Sequence, residues 1–345
     1  MPVKAFINLK NLIYNAKAIK KKLPDSVKFC AVVKADAYGH GAEKISSALY
    51  PYVDCYAVAT ANEGISLRLA GIDKEILVLT KTLKPDIERA ILYGLTLTVS
   101  DMSDLKLYNR TAVKLKSTVK VHIKFDTGMG RQGVSTIDAL KEELRYLKTH
   151  NAIKLEGLYS HFASPENDRS RKKAIDKFLL AKKTVKGYNE KVICHISASG
   201  GYIKGEFFDM VRIGLLLYGY KPFKTDRINV RKVMKVYAPV IKEKSLKKGE
   251  AALYGEKRAK RNVNLALIRY GYADGLFRRE TDGQFSNRCM DVTAICGENS
   301  AAAKTFGGEK YLPVMDDAEK LAELYGTIPY EILVKCTLRA EKIYN

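Results

Sequence analysis

The sequence predicts an α/β chain of two domains: an N-terminal (β/α)8 TIM-type barrel over residues 1–225 and a C-terminal, mainly antiparallel β domain over 226–345. Three observations carry this. From Lys28 to about Tyr220, a short apolar run, a turn and a longer amphipathic stretch recur eight times in series, which is what a parallel barrel requires. Past Lys221-Pro222 the segments become β-rich and comparable helices cease. The length of 345 residues also exceeds the roughly 150 of an average domain.

The barrel strands fall on short, mainly apolar runs: Lys28 to Val33, Cys55 to Ala59, Glu75 to Thr80, Leu95 to Val99, Val119 to Phe125, Leu155 to Ser160, Val192 to Ile196 and Met210 to Ile213. Between them, apolar residues recur at three- and four-residue spacing, which predicts helices over Ala42 to Leu49, Asn62 to Ala70, Lys84 to Leu92, Thr136 to Lys148 and Ser170 to Gly187. In the second domain, strands are expected at Lys235 to Ile241, Asn264 to Ile268, Asp291 to Ile295 and Tyr330 to Thr337, with one helix at Glu319 to Tyr325. Val3 to Ile7 can pair as a strand with either domain.

Composition narrows the function classes. A hydrophobic fraction of 46% with 28% charged residues is that of a folded soluble chain. The net charge of +22 draws anions without specifying a fold. The six cysteines form no C-x-x-C and sit mostly in apolar runs, as reduced thiols do in a cytoplasmic protein. Met1 to Leu9 lacks a secretory apolar core and no stretch reaches 18 apolar residues, so neither secretion nor membrane spanning is expected. No histidine or cysteine spacing suits a metal. The basic runs Lys17 to Lys22 and Lys242 to Lys248 lack interleaved aromatics, so nucleic acid is not the expected partner. Gly128-Met129-Gly130-Arg131-Gln132-Gly133 has the literal dinucleotide spacing, but it follows the fifth strand instead of opening the first βαβ unit.

Catalytic groups of such a barrel come from the C-terminal strand ends and the loops after them. Those positions hold Lys34, Lys124, Asp126, His161, Ser197, Ser199, Arg212 and Gly214. Taken singly, each has a plain structural reading: a snorkelling lysine, a satisfied core histidine, an ion-pair partner. Together they converge on one mouth. Lys34 ends a buried run, where desolvation lowers an ammonium pKa and suits it to Schiff-base chemistry with an aldehyde cofactor.

Val32-Val33-Lys34-Ala35-Asp36-Ala37-Tyr38-Gly39-His40-Gly41-Ala42 resembles the signature around the pyridoxal 5′-phosphate lysine of the alanine racemase family, the fold-type III enzymes of that cofactor. The resemblance continues in order through Lys124-Phe125-Asp126-Thr127-Gly128-Met129-Gly130-Arg131, His161-Phe162-Ala163, Arg212-Ile213-Gly214 and Leu217-Tyr218-Gly219. In the second domain it takes in Leu253-Tyr254-Gly255, Gly271-Tyr272-Ala273-Asp274-Gly275, Cys289-Met290-Asp291 and Ile328-Pro329-Tyr330-Glu331.

The resemblance implies roles. Lys34 holds pyridoxal 5′-phosphate and acts as base on one face of the substrate Cα, while Tyr254 from the partner subunit of a homodimer serves the other face. His161 bonds Tyr254, Arg212 meets the cofactor's pyridine nitrogen, and Arg131 contacts its phenolic oxygen and the substrate carboxylate. Lys124 is the lysine often carbamylated in the family. Tyr38, Ser199, the backbone of Gly214 and Leu215, and Tyr330 bind the phosphate. The Met290 amide takes the substrate carboxylate, and Tyr272 with Tyr330 narrows the entrance to small side chains. The implied function is interconversion of L- and D-alanine, supplying D-alanine for peptidoglycan. Serine alongside alanine, a broader small amino-acid racemase, and a non-catalytic cofactor-binding protein are the alternatives. Two departures bear on them: Ala198-Ser199-Gly200-Gly201 stands where the family has Asn-Ser-Ala-Ala, and the stretch from Arg278 to Arg288 is short.

Overall fold

A computed structural model describes residues 1–251, 258–278, 287–296 and 303–345. Strand β1 (Val3–Ile7) opens the chain, and eight strands of one sheet follow: β2 (Lys28–Val32), β3 (Cys55–Val58), β4 (Ile76–Lys81), β5 (Thr96–Val99), β6 (Val119–Lys124), β7 (Ile153–Tyr159), β8 (Ile193–His195) and β9 (Met210–Ile213). They pair in parallel from β8 back to β2, and β2 also pairs with β9. The ring closes through backbone bonds beside β8 and β9, from Asp209 to Cys194 (3.0 Å) and from Arg212 to Ser197 (2.9 Å). Every residue of β3, β5 and β9 is buried, which explains why these strands are mainly apolar.

The helices follow their start signals. Thr60 caps Ala61–Leu69 in a capping box with Glu63, Leu83 precedes Lys84–Leu92 with proline in its first turn, and Thr136 and Asn167 cap Ile137–Leu147 and Asp168–Tyr188. The first of these, the expected Asn62 to Ala70 segment, and its fellows lie within two residues of the boundaries read from periodicity.

The chain divides into two compact units, one of residues 11–37 and 42–231, the other of residues 1–10, 38–41 and 232–345. The second is built on β10 (Met234–Leu246), β11 (Val263–Ile268), β12 (Asn287–Arg288), β13 (Thr293–Cys296), β14 (Lys304–Phe306), β15 (Glu309–Met315) and β16 (Ala340–Tyr344). The long β10 runs antiparallel to β11, β15 and β1, while β1 runs parallel to β16, so the N-terminal strand lies in this sheet. The helix Ala318–Tyr325, capped by Asp317, stands at the expected place.

One expectation fails. Tyr330 to Thr337, read as a strand, lies in the helix Pro329–Lys335 and its end. Proline sits at the first helical position, where its missing N–H costs nothing, and Ile332, Leu333 and Cys336 bury one helical face. An apolar run of this length does not by itself separate strand from helix.

Candidate active site

In the barrel unit the mouth is assembled at the C-terminal ends of β2, β6, β7 and β9. Lys34 follows β2, half-buried. After it the backbone turns left-handed: φ is +50° at Ala35, +53° at Asp36 and Ala37 and +55° at Tyr38, followed by Gly39 at +80°. L-residues adopt this turn at a cost of roughly 1–2 kcal/mol each, so tertiary bonds must hold it. Within the turn the Ala37 N–H donates to the Val33 carbonyl at 2.8 Å, and the Ala42 N–H donates to Asp36 Oδ1 at 2.7 Å. Glu63 fastens the start, accepting from the Ala35 and Ala59 amides, each at 2.7 Å.

Lys124 ends β6 and is 4% exposed. Gly133 (φ +110°) makes room beside it, since a Cβ there would fall 2.5 Å from the Lys124 carbonyl, which accepts from Val134 at 3.0 Å. The Gly128 to Gly130 loop folds around Asp126, whose carboxylate accepts from the amides of Gly128, Met129 and Gly130, each at 2.8 Å. That loop serves an internal carboxylate, the opposite of a dinucleotide cradle.

Arg212, on β9 and 3% exposed, is held by acceptors at both terminal nitrogens. Its Nη2 donates to the carbonyls of Ser160 (2.6 Å) and Ile196 (3.1 Å) and approaches His161 Nδ1 at 3.4 Å, while Nη1 donates to His195 Nδ1. Its guanidinium carbon lies 5.2 Å from the centre of the Tyr159 ring, and Lys124 Nζ lies 5.6 Å from the same ring. The Tyr159 hydroxyl donates to the Leu79 carbonyl at 2.9 Å and meets Thr98 Oγ1 at 2.8 Å.

The electrostatics of this mouth are one-sided. Burial, then Arg131, lowers Lys34, with Arg212 acting in the same sense and Glu63 opposing. Burial, Arg131 and Arg212 bring Lys124 down to about 8. His161 is pushed down to about 3 by burial and by Arg212, Arg131, Lys124 and Lys34, so it is neutral at any physiological pH. Burial pulls Arg212 to about 10, still a cation at neutral pH.

Four cationic side chains around one opening, with Asp126 turned into its own loop amides, fit an anionic ligand that carries a phosphate and phenolic oxygen. A half-buried lysine lowered toward its amine form fits an aldehyde carbon. Among the described residues, no acceptor is found for Arg212 Nε, the donor available to a ring nitrogen. The residues present therefore fit pyridoxal 5′-phosphate.

Ser199, 3% exposed, begins the short helix Ser199–Lys204, and the Leu216 amide reaches its hydroxyl at 3.5 Å, beside buried Gly214 and Leu215. Ala198 is the N-cap and offers no capping side chain. Gly200 and Gly201 are closely packed, since a Cβ would come 2.5 Å from Pro165 Cγ and from Ser197 Oγ respectively.

In the sheet unit, the rings of Tyr38 and Tyr330 lie 5.5 Å apart, tilted by 45°. Tyr272 and Met290 are exposed and joined through the backbone, the Ala273 amide donating to the Met290 carbonyl at 3.0 Å. Tyr254, and most of the short Arg278 to Arg288 stretch, lie outside the described residues.

Sequence reasoning missed Glu63, His122, Tyr159 and His195. Thr60-Ala61-Asn62-Glu63 carries a capping-box signature that points to Glu63. The other three are polar side chains inside apolar strands, a signal open to inspection once the strands are placed.

Fold and mouth together define a class: a (β/α)8-barrel enzyme whose chemistry centres on a strand-end lysine among cations, joined to a β-sheet unit. The family model for the N-terminal domain of alanine racemases matches residues 7–222, and that for the C-terminal domain matches 233–344. The chain belongs to the alanine racemase family. It is 34% identical to the alanine racemase of Treponema denticola, with 99% of this chain and 97% of that protein covered, and 32% identical to that of Aquifex pyrophilus, with 96% and 95% covered. Among solved structures, an alanine racemase of Clostridium difficile 630 superposes with a TM-score of 0.92 at 29% identity, covering 100% of this chain and 96% of that one. A Bacillus anthracis alanine racemase with bound L-Ala-P gives 0.88 at 29% identity, covering 100% and 95%.

Proposed function

We propose that this protein interconverts L- and D-alanine with pyridoxal 5′-phosphate, working as a cytoplasmic homodimer and supplying D-alanine for peptidoglycan. The observation that carries the reading is the half-buried Lys34 amine, with its basicity lowered by burial, Arg131 and Arg212, in a chain whose relatives of matching length are alanine racemases. When bound, the cofactor supplies an electron sink for negative charge developing at the substrate Cα.

The residues of the chain divide the remaining work. Lys34 takes or returns a proton on one face of the Cα, and the partner subunit's Tyr254 does so on the other, so the centre inverts. Neutral His161, with Nδ1 3.4 Å from Arg212 Nη2, uses its other ring nitrogen to bond the phenol of Tyr254. Buried Arg212 keeps its own proton and leaves the ring nitrogen unprotonated, which moderates carbanion build-up. Arg131 and the Met290 amide take the substrate carboxylate. Tyr38, Ser199, Gly214, Leu215 and Tyr330 bind the phosphate, and Tyr272 with Tyr330 limits the entrance to small side chains. Lys124, at about 8, keeps a large amine fraction open to carbamylation, which in turn braces Arg131.

The test is a panel of L-amino acids incubated with protein and pyridoxal 5′-phosphate and read by chiral chromatography. Inversion of alanine above all others is expected; inversion of none refutes the reading. Lys34→Ala should abolish the visible absorbance of the purified protein, and its persistence would place the cofactor elsewhere. Mixing Lys34→Ala with Tyr254→Phe protein should restore part of the activity, and no recovery would reject a site shared between subunits.

A further inference from the structure

The barrel interior beneath Arg212 carries a line of polar side chains that the racemase reading does not use. His195 Nδ1 faces Arg212, His195 Nε2 lies 3.0 Å from His122 Nδ1, and His122 Nε2 lies 3.6 Å from Glu75 Oε1. Both histidines are fully buried. Among the described residues His122 Nε2 has no hydrogen-bond partner, so the Glu75 carboxylate is the group it faces. The ring position is built into the fold. Gly157 on β7 stands in register with His122, and a Cβ there would sit 2.4 Å from His122 Nδ1.

Donor and acceptor chemistry gives this line one direction. A guanidinium only donates, so His195 Nδ1 must accept and its proton must sit on Nε2. That proton requires His122 Nδ1 to accept, which places the proton of His122 on Nε2, toward Glu75. An imidazolium at either ring would set two donors against each other. We propose that Glu75, His122 and His195 are positioning residues that fix the Arg212 guanidinium from below, with both rings neutral and both protons on Nε2.

The surroundings agree. Burial and the Arg212 charge hold His195 well below its ordinary value, and the Tyr159 ring stacks on it at 5.2 Å. Burial pushes Glu75 up, but the polar ring edge of His122 and the charges of Lys120 and Lys28 outweigh it and hold the carboxyl below its ordinary value.

The part of the proposal that concerns the cofactor rests on the function proposed above. Long-range proton–nitrogen NMR of the full chain with labelled histidine should show both rings as neutral Nε2–H tautomers from about pH 6 to 9. An Nδ1–H tautomer or an imidazolium at either position overturns the relay. Equilibrium titration with pyridoxal 5′-phosphate should show His122→Leu weakened about fivefold, the loss of the neutral hydrogen bond that orients His195. His122→Asn, whose Oδ1 replaces Nδ1 as acceptor, should return to within about twofold of wild type on the same basis. Unchanged affinity in the leucine variant rejects the positioning role, and if that variant does not fold, the wild-type tautomers decide. A wild-type protein that binds no cofactor refutes the racemase reading and leaves the tautomer result to judge the relay.

Discussion

Glu143 offers the sharpest quantitative test of the fold. It lies on the helix Ile137–Leu147, is 1% exposed, and neither carboxyl oxygen has a partner among the described residues. Burial, with repulsion from Asp101 and Asp104, pushes it from 4.5 up to about 8. The folded chain therefore binds this proton more tightly than the unfolded chain does. Below about pH 4.5 the group is protonated in both states and the shift costs nothing. As pH rises, stability falls by about 1.4 kcal/mol per unit until the folded group ionises near 8. The loss is about 3 kcal/mol at pH 7 and levels off at about 5 kcal/mol.

Glu143→Gln keeps the shape and removes the titration. In urea unfolding followed by circular dichroism between pH 5 and 9, the variant should exceed wild type by less than about 1 kcal/mol at pH 5 and by about 3 kcal/mol at pH 7. A difference that does not change with pH, or a wild type that is the more stable at pH 8, would show that the carboxyl has a partner or reaches water.

Three further outcomes follow from the site. Ala198→Asn restores a capping side chain to the helix that begins at Ser199 and should add about 1 kcal/mol of stability and tighten cofactor binding, read by urea midpoint and by titration. Gly201→Ala should destabilise by about 1–3 kcal/mol, because a Cβ meets Ser197 Oγ at 2.5 Å and Phe162 Cε2 at 2.8 Å; a neutral midpoint would contradict that packing. With Lys124 at about 8, close to half of it is amine at pH 8, so carbon-13 bicarbonate should yield one carbamate resonance that Lys124→Met abolishes, and no resonance in wild type would rule the modification out.

The barrel was legible because parallel strands covered on both faces leave mainly apolar runs, and Lys34, Lys124, His161 and Arg212 stand out as the charged or polar residues at or just beyond their C-terminal ends. Tyr330 to Thr337 misled because Ile332, Leu333 and Val334 suit a buried strand as well as a helix, and the deciding residue, Pro329, lies just before the run. The left-handed turn was not legible, since Ala35, Asp36, Ala37 and Tyr38 are ordinary residues and only the surrounding fold imposes their φ. The pairing of His122 with Gly157 joins two strands by register and leaves no local mark in either segment.

The turn after Lys34 has a consequence for chemistry beyond the natural chain. Ala35 and Ala37 hold backbone angles that are the mirror image of those an L-alanine prefers, and so the angles a D-alanine adopts at ease. Protein assembled by chemical ligation with D-alanine at these two positions should resist heat better than the all-L chain. A protein proposed to make the D-enantiomer would then carry, next to its own lysine, two positions that favour it.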